Sequence, residues 1–338
     1  MKVSVIGSGS WGTANAVMLA KMGHSVILWS YSSQECEDLK KYRENKPFLP
    51  GIKIPETIEF TNNIGECADV DLIVMAVPSF AARATAKSIA PHVKDGQIIA
   101  NIAKGLEEES LFTLSQVIGS EIPNADVAVM SGPSHAEEVS RSQPSTNVVA
   151  AKNIETAEFV QDIFMNPYFR VYTNADILGV ELGGALKNII ALCAGISDGL
   201  GYGDNTKAAL MTRGIAEMTR LGVAMGARAE TFGGLSGVGD LIVTCCSAHS
   251  RNRRCGMLLG QGKTLAQAQE EIKMVVEGVN ATRAAKALAQ KFGVEMPIVN
   301  QCYSVLYEGQ LPRNVAANLM GRTRRGESEY GFLGEAGK

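Results

Sequence analysis

The chain lacks the marks of a disulfide scaffold or a structural metal site. Its cysteines, Cys36, Cys67, Cys193, Cys245, Cys246, Cys255 and Cys302, are odd in number and scattered, and no two stand at Cys-x-x-Cys spacing. That excludes a disulfide framework and predicts a reduced, cytoplasmic protein. The histidines His24, His92, His135 and His249 lack ligand spacing, so no metal is expected. Aromatic residues are few, at 6%, while glycine and alanine are abundant, which suits tightly packed helices. There is no excess of either charge: 32 cations against 35 anions leave a net −3. That argues against general nucleic-acid binding and against a polybasic membrane anchor. No secretory signal is read, because Gly7, Gly9 and Gly12 break the first apolar run and no cleavage site follows. The apolar segment 177–196 is long enough to cross a membrane. Glu181, Lys187 and Asn188 at its centre predict a helix in the heart of a soluble domain instead, with no membrane span.

What the chain does contain is two patterns in succession. A length of 338 residues most often holds two domains and can bury a sizeable core unaided. The first half alternates short β-branched runs with helical patterns. Strands are predicted at 3–6, 26–29, 72–76, 98–101 and 127–130, with a helix at 11–22. A strand at 148–151, a helix at 154–164 and a strand at 171–173 add an edge. Such alternation implies a parallel sheet covered by helices on both faces, an α/β Rossmann-type doubly wound fold. From about Asp176 helical patterns take over, at 178–197, 207–225, 265–273, 281–292 and 297–307. The expected division is a dinucleotide-binding domain at 1–175, an all-α substrate-binding domain at 176–320, and a polar, poorly packed tail at 321–338.

Gly7-Ser8-Gly9-Ser10-Trp11-Gly12 follows the first strand and opens a helix, the context a dinucleotide fingerprint requires. Gly7 permits the tight turn, Gly9 lets the backbone approach a pyrophosphate, and Gly12 lets helix and strand pack closely. The helix N-terminus offers free N–H groups and a positive dipole end to phosphates, with Ser10 and Trp11 adding backbone donors. After the second strand comes Ser30-Tyr31-Ser32, with no acid before Glu35 and no arginine. The missing acid leans the reading to NADPH, with NADH left open. Val77-Pro78-Ser79 ends the strand at 72–76, at the edge where the nicotinamide would lie, or is simply a turn that stops a strand.

Lys104-Gly105 follows the strand at 98–101 and Ser131-Gly132-Pro133-Ser134-His135-Ala136 the strand at 127–130, both at the carboxyl edge of the sheet. Lys187 stands within Val180-Glu181-Leu182-Gly183-Gly184-Ala185-Leu186-Lys187-Asn188, where the two glycines open a helix face to close approach. Buried there, it would act as an acid near neutral pH; otherwise it snorkels to solvent. Asp240, four residues before Thr244, could pair with such a lysine and orient it. Ser250-Arg251-Asn252 either grips a phosphate, which a guanidinium matches with paired hydrogen bonds, or is an exposed basic loop. Val275-Val276-Glu277-Gly278 is ambiguous by itself.

Taken in order, these segments resemble the bacterial NAD(P)-dependent glycerol-3-phosphate dehydrogenases over nearly the whole chain, up to about Asn318. The resemblance implies reversible reduction of dihydroxyacetone phosphate to sn-glycerol 3-phosphate, with NADPH or NADH as cofactor and no metal. It further implies a 6-phosphogluconate-dehydrogenase-like C-terminal domain and a role in supplying glycerophospholipid biosynthesis; a homodimer is expected. It makes Lys187, Lys104 and Asp240 the catalytic set. It implies substrate contacts at Lys104, Gly132, Ser134, Lys187, Asp240, Thr244, Ser250, Arg251 and Asn252. It implies cofactor contacts at Gly7, Gly9, Ser10, Trp11, Gly12, Tyr31, Phe48, Lys104, Ala136, Arg251, Val275 and Glu277. Two other readings compete. One is a two-domain dehydrogenase of hydroxy acids or sugar acids, whose carboxylate would also suit Arg251. The other is a non-catalytic dinucleotide-binding redox sensor, disfavoured by the acidic balance and the lack of a basic helix.

Overall fold

In the computed structural model, residues 1–324, 326 and 327 are described. Most of the tail expected at 321–338 therefore lies outside the described residues. The strands are β1 (Lys2–Ile6), β2 (Ser25–Trp29), β3 (Ile58–Thr61), β4 (Leu72–Met75), β5 (Ile98–Asn101), β6 (Asp126–Ser131), β7 (Ser145–Ala151) and β8 (Phe169–Asn174). They form one sheet in the order β3-β2-β1-β4-β5-β6-β7-β8. Strands β1 to β6 run parallel. β7 is antiparallel to β6 and parallel to β8, so the last two strands form the added edge. The chain leaves β1 on one side for β2 and on the other for β4. That reversal opens a crevice beyond the carboxyl ends of β1 and β4, where ligands bind in folds of this kind.

Alternate strand residues feed two opposite cores, because successive side chains point to opposite faces. Val3, Val5, Val26, Leu28, Leu72 and Val74 pack into one buried cluster. Ile6, Ile27, Trp29, Ile73 and Met75 pack into the other. Helices cover both faces: α1 (Ser10–Lys21), α2 (Ser33–Tyr42), α3 (Ala82–Ile89), α4 (Leu114–Glu121), α5 (Ala136–Val139) and α6 (Ile154–Phe164). β3 is a four-residue strand that the apolar pattern does not single out.

The second half is helical throughout: α7 (Ile177–Gly199), α8 (Asp204–Ala224), α9 (Ala229–Phe232), α10 (Asp240–Cys246), α11 (Arg251–Gly260), α12 (Leu265–Ile272), α13 (Glu277–Phe292), α14 (Pro297–Tyr307) and α15 (Pro312–Met320). These helices enclose a third core built around α7, with Leu182, Leu186, Ile189, Ile190 and Leu192 at its centre. α7 is the one described helix long and apolar enough to cross a membrane, and 83% of that apolar window is buried within the protein. α11 lies almost backbone to backbone on α7. A Cβ at Gly195 would fall 2.0 Å from the Arg253 carbonyl oxygen, and one at Gly256 2.0 Å from that of Leu192. This contact carries the N-terminus of α11 towards the middle of α7, near Lys187. The alternative of an exposed basic loop at Ser250-Arg251-Asn252 is thereby corrected: Arg251 opens a helix and is partly buried, while Arg254 stays exposed.

Candidate active site

At the carboxyl end of β1 the glycine turn behaves as its spacing implies. Gly7 has φ +116°, and a Cβ on it would meet the Ala76 carbonyl oxygen at 2.8 Å. A Cβ at Gly12 would fall 1.8 Å from the Gly7 carbonyl oxygen, so α1 can seat on β1 only with glycine there. Gly9 is different: a Cβ there would meet nothing within 4 Å. Its backbone borders open space, as approach of a phosphate requires. Gly9 caps α1 without a side-chain hydrogen bond, which leaves the first N–H groups and the positive dipole end to a ligand. These features fit a dinucleotide pyrophosphate. Asn45 braces the turn, its Nδ2 donating to the Ser8 carbonyl oxygen (2.6 Å) and to Thr13 Oγ1 (2.8 Å). Asn45 Oδ1 also accepts from Phe48 N, which ties Phe48 to this turn. Trp11 Nε1 donates to the Ile102 carbonyl oxygen at 3.2 Å, joining the turn to the loop after β5. Tyr31 is 88% exposed beyond β2, its ring edge-on to Trp29.

Two lysines and one aspartate meet between the sheet and the helical domain. Asp240, 1% exposed, accepts from Lys187 Nζ on Oδ1 and from Lys104 Nζ on Oδ2, both at 2.7 Å. Lys187 Nζ also donates to Thr244 Oγ1 at 2.6 Å. The Thr244 hydroxyl itself donates to the Asp240 carbonyl oxygen one helical turn back, which turns a lone pair towards the lysine. Lys104 Nζ donates also to the Gly132 carbonyl oxygen at 2.8 Å. Close packing makes this meeting possible. A Cβ at Gly184 would fall 2.6 Å from Ser131 Oγ and 3.4 Å from Lys104 Cγ, so α7 can lie directly on the end of β6.

The charges of this cluster shape each other. Burial lowers the Lys187 ammonium to about 8; the Asp240 carboxylate opposes that shift and the Lys104 charge adds to it. Burial alone would raise the Asp240 carboxyl, but Lys104 and Lys187 outweigh it and hold the group ionised below its ordinary range. With both lysines protonated the cluster carries one net positive charge in a water-poor setting, where a developing anion is strongly stabilised.

The third element is the start of α11. Ser250 caps it, its Oγ accepting from Arg253 N, so that hydroxyl is engaged locally. The Asn252 amide is engaged too: Nδ2 donates to Asn188 Oδ1 (2.9 Å) and Oδ1 accepts from Gly278 N (2.8 Å). Asn252 thus bridges α7, α11 and α13, and its backbone N–H lies in the first helical turn, where N–H groups have no acceptor within the helix. Arg251 makes one hydrogen bond among the described residues, from Nη1 to the Val275 carbonyl oxygen at 3.3 Å. Burial lowers its pKa, with the Glu277 and Glu137 charges opposing. The rest of its donor fork remains for an anion. Ser134 Oγ donates to the Gly132 carbonyl oxygen. Ala136 begins α5 beside it.

Two features escape sequence spacing. Glu277 reaches across to the loop after β4, accepting from Ser79 N (3.1 Å) and Ser79 Oγ (2.6 Å). Burial raises its pKa, against the Ser79 donors and the Arg251 charge. Val77-Pro78-Ser79 is therefore more than a turn: it is where sheet and helical domain are tied. His135 Nε2 is buried without a partner among the described residues, its ring 5.9 Å from that of His249. Neither histidine stands out by spacing.

A glycine turn shaped for a dinucleotide and a buried lysine pair, both at the carboxyl edge of a doubly wound sheet, define a two-domain nicotinamide-dependent dehydrogenase. Known proteins narrow the class. Residues 2–157 match the N-terminal family of NAD-dependent glycerol-3-phosphate dehydrogenase, and residues 176–317 match its C-terminal family. A glycerol-3-phosphate dehydrogenase (NAD(P)+) of Agathobacter rectalis is 57% identical over 325 residues, covering 96% of this chain and 97% of its own. A protein of the same name from Fusobacterium nucleatum is 55% identical, covering 96% and 98%. The crystal structure of glycerol-3-phosphate dehydrogenase from Coxiella burnetii superposes with a TM-score of 0.92 at 38% identity, covering 95% of this chain and 99% of that one. The chain belongs to the NAD(P)-dependent glycerol-3-phosphate dehydrogenase family.

Proposed function

We propose that this protein reduces dihydroxyacetone phosphate to sn-glycerol 3-phosphate, reversibly, using NADH or NADPH. The observation that carries the reading is the buried Lys187–Asp240–Lys104 cluster beside the dinucleotide turn, in a chain of this family. Relatives more than 50% identical bear the name of that activity.

The bound nicotinamide supplies the hydride. The chain's own residues bind, orient and move the proton. Arg251 and the N–H groups at the start of α11 hold the phosphate. Lys104 and Lys187 flank the carbonyl oxygen and stabilise the charge that grows there. Lys187, with a pKa near 8, is protonated at neutral pH and close enough to it in acidity to give up its proton to that oxygen. Asp240 acts through its pairing with both lysines, keeping Lys187 charged and aimed at the substrate. The Gly132 carbonyl, Ser134 and Thr244 fix the lysines and the adjoining turn. Gly7, Gly9, Ser10, Trp11 and Gly12 hold the pyrophosphate. Tyr31, Phe48, Lys104, Ala136, Arg251, Val275 and Glu277 line the rest of the cofactor path. Ser250 contributes by capping the helix that presents Arg251.

In this reading the domains divide at residue 175 or 176, and the second domain carries the substrate. The gap between β8, ending at Asn174, and α7, starting at Ile177, supports that division. A cytoplasmic homodimer supplying glycerophospholipid synthesis completes the proposal. The odd set of cysteines, unpaired among the described residues, supports a reducing compartment. Chromatographic sizing of the native protein tests the dimer. For the reaction, the product of dihydroxyacetone phosphate and reduced cofactor is identified by phosphorus NMR. Glycerol 3-phosphate supports the proposal. No new phosphate ester, from protein shown to bind cofactor, overturns it.

A further inference from the structure

Beyond β2 the chain carries no acid in line, but the fold returns one. Glu35 lies in the first turn of α2, whose cap is Ser32, with Oγ accepting from Glu35 N. From there the carboxylate reaches back to two other elements. Ser8 Oγ donates to Oε1 at 3.0 Å, and Ser30 Oγ donates to Oε2 at 2.7 Å. Ser8 stands between Gly7 and Gly9 in the dinucleotide turn. Ser30 is fully buried and directly follows β2. The carboxylate is thus docked between the tip of the glycine turn and the carboxyl end of β2, where folds of this class receive the adenosine ribose. An acid there usually comes from the strand end itself. Here Ser30 occupies that place and holds an acid supplied five residues later.

Each Glu35 oxygen accepts one hydrogen bond from a serine and retains a lone pair for another donor. Ribose hydroxyls are such donors. A 2′-phosphate is not: it would set a dianion against a carboxylate anchored at both oxygens. Ser30, Tyr31 and Ser32 bring no cation to offset it. We propose that Glu35, fixed by Ser8 and Ser30, is the specificity-determining residue for the cofactor, accepting from the ribose hydroxyls of NADH and disfavouring NADPH. This rests on the dinucleotide site proposed above and reverses the preference that the missing acid after β2 implies.

The test measures binding, separate from turnover. The full chain is titrated with NADH and NADPH by nicotinamide fluorescence, and with adenosine 5′-monophosphate and adenosine 2′,5′-bisphosphate by calorimetry. Repulsion between like charges in contact predicts that NADH binds at least about tenfold more tightly than NADPH, with the monophosphate likewise ahead of the bisphosphate. Glu35→Gln should reduce that ratio by about tenfold, and Ser30→Ala, which frees one oxygen of the carboxylate, by less. Circular dichroism confirms that each variant folds; if either does not, the two adenosine phosphates on the unmodified protein decide the matter. Equal or tighter binding of NADPH, or an unchanged ratio in folded Glu35→Gln, would overturn the inference and leave the dinucleotide site standing. Binding of neither dinucleotide would overturn the site and the inference together.

Discussion

Replacing Asp240 by asparagine keeps the shape of the site and removes the carboxylate that pairs with both Lys104 and Lys187. Two lysines then lie side by side without the carboxylate that paired with both. Asp240 contacts Lys187 at 2.7 Å, and an opposite charge so close supports the charged form of a buried lysine by about 1–3 pKa units. Without it the Lys187 value falls from about 8 to roughly 5–7. At pH 7 the unmodified lysine is then about nine-tenths protonated, while a variant centred near pH 6 would be about one-tenth protonated. Reduction of dihydroxyacetone phosphate at pH 7 should therefore drop about tenfold from protonation alone, with a further loss from misorientation. The diagnostic is the profile, since kcat/KM against pH reports groups of the free enzyme. The unmodified enzyme should lose reductive kcat/KM as pH rises through about 8. The oxidative direction, which needs the neutral lysine, should gain there. Asp240→Asn should shift the midpoint down by at least one unit and recover activity in mild acid. A variant that folds but keeps its midpoint, or that acid does not rescue, would refute this role for Asp240.

Other substitutions separate the remaining parts. Lys187→Ala should lose most turnover yet retain its circular dichroism and cofactor binding; near-normal turnover would sink its assignment as proton donor. Arg251→Ala should raise KM for dihydroxyacetone phosphate by tenfold or more, consistent with about 1.5–3 kcal/mol for a charge-assisted hydrogen bond. Inorganic phosphate should compete with substrate in the unmodified enzyme while acetate does not, and equal inhibition by both would favour a carboxylate clamp. Gly184→Ala, with its Cβ 2.6 Å from Ser131 Oγ, should destabilise the fold by about 1–3 kcal/mol in a denaturant titration and lower kcat. Away from the site, burial raises Glu217 to about 7, against the Ile298 and Val299 N–H groups that donate to it. Its folded value lies above its unfolded value, so the folded state holds the proton longer. Stability from this group is present below about pH 4.5 and declines as pH rises to about 7, by roughly 3 kcal/mol in all. Glu217→Gln should lack this decline, and equal pH slopes in the two proteins would contradict it.

Much of the architecture was legible because local patterns carried it. The β-branched runs of β1, β2 and β4 are buried on both faces, so they stand out from their surroundings. Lys187 was conspicuous as a cation inside an apolar helical run, and its neighbours Gly183 and Gly184 marked a close approach. β3 was not legible: Ile58-Glu59-Phe60-Thr61 alternates apolar and polar residues, but four residues are too short a run to stand out from the polar segments around it. The start of α11 was ambiguous because Arg251 and Arg253 look as solvated as Arg254, which is exposed, until α7 is seen beneath them, joined through glycines. Asn252 is matched to a substrate contact by family likeness, while its side chain is engaged by Asn188 and Gly278. The Glu277–Ser79 tie spans 198 residues of sequence, which no spacing rule reaches. Glu35 is not legible as a ribose partner because it lies beyond the end of β2, and only the fold of α2 brings it back to Ser30.

The most direct test follows the loss of reduced-nicotinamide absorbance when purified protein meets dihydroxyacetone phosphate, with NADH and NADPH run in parallel. Rapid loss that depends on the ketone phosphate is expected, faster with NADH when both cofactors are dilute. No loss with either cofactor, from protein that binds them, would contradict the assigned reaction.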